Sequence, residues 1–160
     1  MIKSPPRASG EIEEIYARHA DMVYRICFSF MKNKSDAEDM LQTAFLRLIS
    51  AEPKFKDGEH EKAWLIKTAS NLCRDRLKSK WYKTRSSEEA AEKQSEFAEI
   101  DETLQQVLRL PDKYKTAVYM YYYEEYTTEE IAKILKKPAS TVRGHLREAR
   151  ILLKEIMERT

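Results

Sequence analysis

In two stretches, Ile12 to Leu77 and Ile100 to Ile156, apolar residues return in steps of three and four. This is the period of one face of an α-helix, and it leaves no stretch with the alternation of a half-buried strand. The first stripe is Ile12, Ile15, Tyr16, His19, Met22, Val23, Ile26, Cys27 and Phe30. Met31-Lys-Asn-Lys interrupts it, and Ser35-Asp-Ala-Glu38 reads as a capping box that opens a second helix to about Ser50. Pro53 and Gly58 bracket a loop carrying Phe55, and a third helix is expected from about Glu61 to Lys80, burying Leu65, Ala69, Leu72, Cys73 and Leu77. Three glycines and five prolines in 160 residues are too few for the turns of a strand-rich fold.

In the second half the same reading continues. Ile100, Leu104, Val107 and Leu108 start a new core. Pro111 fits the first turn of a helix whose inner side would be Tyr114, Ala117, Val118, Tyr121 and Tyr122. Thr127-Thr-Glu-Glu130 is a second capping box, opening a short helix with Ile131, Ala132 and Leu135. Lys136-Lys137 makes a tight connection, and Pro138 starts a last helix with Val142, Leu146, Ala149, Leu153 and Ile156 inside. The expected fold is all-α. It has two small helical domains, an N-terminal helical bundle over 1–84 and a C-terminal four-helix domain over 100–160, joined by a flexible acidic linker at 85–99.

A formal net charge of +2 conceals strong segregation. Lys62 to Arg85 holds eight basic residues and one acidic, and Ile131 to Thr160 holds eight basic and three acidic. Between them, Ser86 to Asp112 holds eight acidic and two basic. Two cationic segments separated by an anionic one suit a polyanion gripped at two places, although solvated helix faces have the same composition. Neutralising Glu88, Glu89, Glu92 and Glu96 is expected to raise DNA binding if the acidic stretch repels DNA.

Cys27 and Cys73 both fall on apolar stripes and read as small core residues. No Cys/His ligand spacing, phosphate-binding loop, nucleophile elbow or Glu-x-x-His pair is present, so neither metal, cofactor nor enzyme chemistry is expected. The acidic group Asp36, Glu38 and Asp39 has none of the histidine partners that helical carboxylate metal sites use. The start lacks an export signal and no apolar run reaches membrane-spanning length, so a cytoplasmic protein without stable membrane insertion is expected.

Glu130 to Arg150 has the layout of a helix-turn-helix, whose second helix can enter a major groove about 12 Å wide. Arg143, Arg147, Arg150 and Lys154 share an outward stripe. Base contacts are expected from Ser140, Arg143, Gly144 and Arg147 near the start of that helix, and backbone contacts from Arg150 and Lys154.

The segment Glu130-Ile-Ala-Lys-Ile-Leu-Lys-Lys-Pro-Ala-Ser-Thr-Val-Arg-Gly-His-Leu-Arg-Glu-Ala-Arg150, with Leu110-Pro-Asp-Lys-Tyr114 upstream, resembles the fourth conserved region of bacterial RNA polymerase sigma factors. Asp36-Ala-Glu-Asp-Met-Leu-Gln-Thr-Ala-Phe45 is similar to the second region of that family, and Ala63-Trp-Leu-Ile-Lys-Thr-Ala-Ser-Asn-Leu-Cys-Arg-Asp75 to the segment following it. With only a short linker between them, the arrangement resembles the compact extracytoplasmic-function (ECF) group. Gly144, His145, Glu148 and Lys136 depart from residues frequent in the family, within the segment that would read the upstream promoter element.

The resemblance implies promoter-specific transcription initiation. It implies that Glu38, Asp39 and Gln42 meet a coiled coil of the largest subunit of core RNA polymerase. Phe55, Lys56, Lys62, Trp64, Lys67, Asn71 and Arg74 would read the minus-ten element and hold melted DNA, using cations for phosphates and flat surfaces for unstacked bases. Thr127, Thr128, Ser140, Thr141, Arg143, Gly144, Arg147 and Arg150 would read the minus-thirty-five element as duplex. It also implies an anti-sigma factor as a partner. The rival reading is a stand-alone dimeric regulator with a palindromic operator.

Overall fold

The computed structural model describes residues 9–79 and 102–159. Among these, every regular element is an α-helix. The first unit is α1 (Ser9–Met31), α2 (Lys34–Ala51) and α3 (Gly58–Lys78); the second is α4 (Glu102–Leu108), α5 (Asp112–Tyr122), α6 (Thr128–Leu135) and α7 (Ala139–Glu158). The all-α expectation and its two-unit organisation hold. The acidic stretch expected as a linker lies outside the described residues.

Helix α1 is the spine of the first unit and packs along both α2 and α3. Ile15, Val23, Ile26 and Cys27 from α1 meet Ala37, Met40, Ala44 and Leu48 from α2 and Leu65, Ala69 and Cys73 from α3, all buried. Cys27 and Cys73 are free thiols in this core. The Cys27 neighbour, and then burial, push the Cys73 thiol up, so it stays protonated.

The turn between α1 and α2 differs in detail from the expected capping box at Ser35. Lys32 takes a left-handed conformation (φ 65°) and returns its N–H to the Phe28 carbonyl at 2.9 Å. Asn33 is the N-cap of α2: its side-chain oxygen accepts from the Asp36 N–H at 2.8 Å, and its amide donates to the Asp36 carboxylate at 2.8 Å. An asparagine two residues ahead of Ser35 therefore outcompetes the serine for the orphan N–H groups. Asp36 is consumed in this cap, which accounts for its burial. Helix α3 begins earlier than the apolar stripe suggests, because Asp57 caps it by accepting from the His60 N–H at 2.8 Å.

A buried carboxylate ties α1 to α3. Glu61, 7% exposed, accepts from the Arg18 guanidinium at 2.9 and 3.2 Å and meets the His19 ring nitrogen Nε2 at 2.8 Å. The sequence periodicity had placed His19 in the apolar stripe, and its ring does turn inward, toward a charge supplied from another helix.

In the second unit the predicted Thr127 capping box is present in full: Thr127 Oγ1 accepts from the Glu130 N–H and the Glu130 carboxylate accepts from the Thr127 N–H. Pro111 and Pro138 sit one position earlier than expected, as the N-cap residues of α5 and α7. Helix α6 ends on Lys136 in the left-handed region (φ 55°), with the Lys137 N–H returning to the Ala132 carbonyl at 2.9 Å. This is a Schellman-type stop built on lysine where glycine is favoured.

Tyr121 and Tyr122, expected inside, are exposed. Their places are taken by Tyr119 and Met120, because α5 is covered on more than one side. Seven consecutive residues, Tyr114 to Met120, are buried, and so are six at the end of α1, Ile26 to Met31. An amphipathic helix on a single core buries only one stripe. All-round burial arises here because the end of α1 carries α4 and α5 on the side away from its own unit.

Candidate nucleic-acid interface

Helices α6 and α7 form the expected helix-turn-helix. Ile131, Ala132, Val142, Leu146 and Ala149 are buried between them and α5. That leaves Ser140, Arg143, Arg147, Arg150 and Lys154 exposed on α7, with Thr141 and Gly144 half-exposed among them. Arg143 has only a loose contact to Glu129 at 3.9 Å, and both are well exposed, so the pair costs little to break. Thr127 is exposed and Thr128 half-exposed at the start of α6, where N–H groups and the helix dipole favour an anion.

Two of the residues that depart from the family pattern, Glu148 and His145, serve internal contacts. The Tyr114 hydroxyl donates to the Glu148 carboxylate at 2.5 Å, tying α5 to α7. His145 lies edge-on to the Tyr114 ring at 5.4 Å, and burial, reinforced by the charge of Lys137, lowers its pKa. Gly144 has open space where a Cβ would stand, so no close approach requires the glycine.

The α3 set divides in two. Phe55 stands edge-on to His60 and Trp64, at 5.4 and 6.0 Å, and Phe55 and Trp64 pack onto the core. Lys56 and Asn71 are exposed. Lys62, Lys67 and Arg74 instead face the second unit. Lys62 forms an ion pair with Glu124 at 2.6 Å and sits over the Tyr126 ring. Arg74 donates to Thr116 Oγ1 at 3.3 Å and lies over the Phe30 ring. Burial, and then the like charge of Lys136, hold the Lys67 ammonium below the usual lysine range. These cross-unit partners are acidic or hydroxyl residues in an apolar context, and nothing in their sequence spacing marks them.

On α2, Glu38, Asp39 and Gln42 are exposed, and Asp39 accepts from Arg76 at 3.3 Å. Leu46 and Ile49, 64% and 50% exposed, extend the Asp39–Gln42 row along the same face. Sequence reading missed them, although their places four and seven positions beyond Gln42 were visible. A groove on the second unit is lined by Val107, Val118, Tyr122, Leu153 and Met157, with Arg150 and Lys154 also on its wall.

Among the described residues no group of His, Cys, Asp and Glu could hold a metal, and no helix is long and apolar enough to cross a membrane. The arrangement offers two cationic helices, α7 with its arginines exposed and α3 with part of its basic face covered by the second unit.

Residues 15–82 match the family model described as Sigma-70 region 2, and residues 100–153 match Sigma-70, region 4. The chain is 29% identical over 172 residues to the ECF RNA polymerase sigma factor SigW of Bacillus subtilis (strain 168), covering 96% of this chain and 90% of that protein. It is 29% identical over 157 residues to the ECF RNA polymerase sigma factor SigM of the same organism, covering 92% and 96%. It is 27% identical over 155 residues to the RNA polymerase sigma-E factor of Streptomyces coelicolor (strain ATCC BAA-471 / A3(2) / M145), covering 91% and 85%. With both regions matched in order around a capped helix-turn-helix, the chain belongs to the RNA polymerase sigma factors of the sigma-70 family, in their ECF group.

Proposed function

We propose that this protein binds core RNA polymerase and directs it to promoters, with α7 reading the minus-thirty-five element as duplex and α3 the minus-ten element as it melts. The observation that carries the reading is the exposed row Arg143, Arg147, Arg150 on the second helix of a helix-turn-helix whose first helix carries a complete capping box. The duplex site consists of Thr127, Thr128, Ser140, Thr141, Arg143, Gly144, Arg147 and Arg150. The minus-ten site consists of Phe55, Lys56, Lys62, Trp64, Lys67, Asn71 and Arg74.

Each part has a physical role. Arg143 and Arg147 suit bidentate contact with guanine edges, which discriminates between bases. Arg150 suits phosphate contact, which adds affinity without sequence choice. On α3, Lys56 and Asn71 are exposed for phosphate and base contacts, and the Phe55–Trp64 pair supplies aromatic edges for an unstacked base. Docking on polymerase falls to Glu38, Asp39 and Gln42 of α2, continued by Leu46 and Ile49. Residues 1–84 and 100–160 act as separate modules that gain from bivalency once polymerase sets their spacing. A cytoplasmic site of action and control by an anti-sigma factor complete the reading.

The test is run-off transcription with purified core polymerase on genomic fragments, with and without this protein. New start sites are expected. Arg147→Ala should weaken binding to a promoter so identified by about tenfold, the loss of one good base contact. An absence of polymerase binding together with dimeric binding to a palindrome would replace this reading with the stand-alone regulator.

A further inference from the structure

Between α2 and α3 the chain is fixed at both ends. Glu52 ends α2 in the left-handed region (φ 47°), with its N–H returned to the Leu48 carbonyl at 3.2 Å. Asp57 opens α3 as its N-cap, its carboxylate accepting the His60 N–H. The stretch between them, 53–56, carries Phe55 and Lys56, two of the proposed minus-ten contacts.

His60 reaches back into this loop with its side chain. Its ring Nδ1 accepts the Lys56 N–H at 3.1 Å. The same ring lies edge-on to Phe55, with centroids 5.4 Å apart and planes at 82°. Phe55 in turn stands edge-on to Trp64 of α3. In an ordinary capping box the third helical residue accepts from the N–H of the N-cap itself. Here that third residue is an imidazole, and its acceptor passes over Asp57 to the residue before it. A backbone N–H can only donate, so Nδ1 is the acceptor and the ring hydrogen sits on Nε2. Lys56, Asp57 and His60 are all exposed, so the bond adds little to the stability of the fold. What it fixes is position, namely the main chain of Lys56 and the edge of Phe55.

We propose that His60 is a positioning residue for the minus-ten element: its ring clamps the 53–56 loop, so that the Phe55–Trp64 pair and the Lys56 ammonium are already set for an unstacked base and its phosphate. Stacking and phosphate contact reward most a surface that is in place before binding, because a loop ordered on contact gives back part of the gain. His60 acts in this role through Phe55 and Lys56, not by touching the base. The consequence for DNA rests on the proposed minus-ten reading; the clamp itself does not.

Two full-length variants test it. His60→Phe keeps an aromatic edge beside Phe55 and has no acceptor. His60→Asn places an amide oxygen where Nδ1 stands and restores one. The first readout is hydrogen exchange of the Lys56 N–H, followed by NMR on the free chain. Exchange should be about fivefold faster in His60→Phe than in the parent, the equivalent of one neutral hydrogen bond, and close to the parent in His60→Asn. The second is the affinity of the holoenzyme for a promoter fragment, found by run-off transcription and held open by mismatches over its minus-ten element. It should fall about fivefold in His60→Phe and stay within about twofold of the parent in His60→Asn. Binding to the same fragment without its minus-ten element should be equal in all three proteins.

Equal Lys56 exchange in the parent and His60→Phe would overturn the clamp. So would measurable binding to the opened fragment that does not follow Lys56 exchange across the three proteins. If exchange changes as expected and the parent holoenzyme itself gains nothing from the opened minus-ten element, the clamp stands and the minus-ten reading falls.

Discussion

The Thr116 hydroxyl donates to the Ser70 hydroxyl at 2.9 Å, with 46 positions of chain between them and both side chains closed to solvent. This pair sits where α5 of the second unit crosses α3 of the first. Its burial shows that the two units share a desolvated surface, since a hydroxyl is buried only with a partner to bond.

Beside this pair, Lys115 has a measurable effect on stability. Burial pushes its ammonium down to about 8, with Asp112 acting in the other direction and Lys32 reinforcing the fall. A lysine with a depressed folded pKa binds fewer protons folded than unfolded. Its penalty is therefore complete below about 8 and is relieved as pH rises toward the ordinary value near 10.4. Tyr126, pushed up to about 12 mainly by burial, and Tyr119, also raised, reverse the trend above about pH 10, where the unfolded chain sheds its tyrosine protons. Lys115→Met should stabilise the protein by about 2 kcal/mol at pH 7, and the difference from the parent should shrink between pH 8 and 10 in urea denaturation.

Glu61 is expected to matter for the fold of the first unit rather than for DNA. Glu61→Ala leaves Arg18 and His19 without their shared carboxylate. Because Arg18 is half exposed, the cost should be moderate, about 1–2 kcal/mol, or a fall of roughly 2–8 °C in melting temperature. Calorimetry of the two proteins measures this, and DNA binding by α7 should be unaffected at temperatures where both are folded.

The helix-turn-helix can be stabilised at two positions. Gly144 lies within α7 with open space at its Cβ, so Gly144→Ala should add about 0.5–1 kcal/mol through helix propensity. Lys136 occupies a left-handed stop (φ 55°), so Lys136→Gly should add about 1 kcal/mol by relieving the Cβ clash. Thermal denaturation of the single and double variants checks both values. The sites lie on different helices, and the gains should add.

Docking on polymerase should depend on the apolar part of the α2 face. Leu46→Glu and Ile49→Glu alter side chains that are more exposed than buried, so stability should change by about 0.5 kcal/mol or less. Co-purification with core polymerase should fall about tenfold or more, as expected for apolar residues central to an interface. Unchanged capture of both variants would move the docking face elsewhere.

Most helices were legible because each carries a long apolar stripe, and the Thr127–Glu130 box was legible because both members are close in sequence. The α2 cap was misplaced by two residues because Ser35 and Asn33 are both competent caps, and only the chain path after Lys32 decides between them. Tyr121 and Tyr122 were misplaced for a different reason. Tyr114 to Met120 is buried all round by elements far away in sequence, so periodicity alone cannot tell which tyrosines remain outside. The exposed Arg143, Arg147, Arg150 and Lys154 of α7 were readable from their 4–3–4 spacing. The partners of Lys62 and Arg74 were not, since Glu124 and Thr116 meet them only through the packing of one unit on the other.

If α7 and α3 hold one promoter at two separate places while polymerase keeps them apart, each helix should touch its own segment of that DNA. Photo-crosslinking of the holoenzyme tests this most directly, with benzoylphenylalanine placed at Ser140 on α7 or at Asn71 on α3. Crosslinks are expected from Ser140 to the minus-thirty-five duplex and from Asn71 to the minus-ten segment of the same promoter. Crosslinks from both positions to one segment, or from neither to promoter DNA, would contradict it.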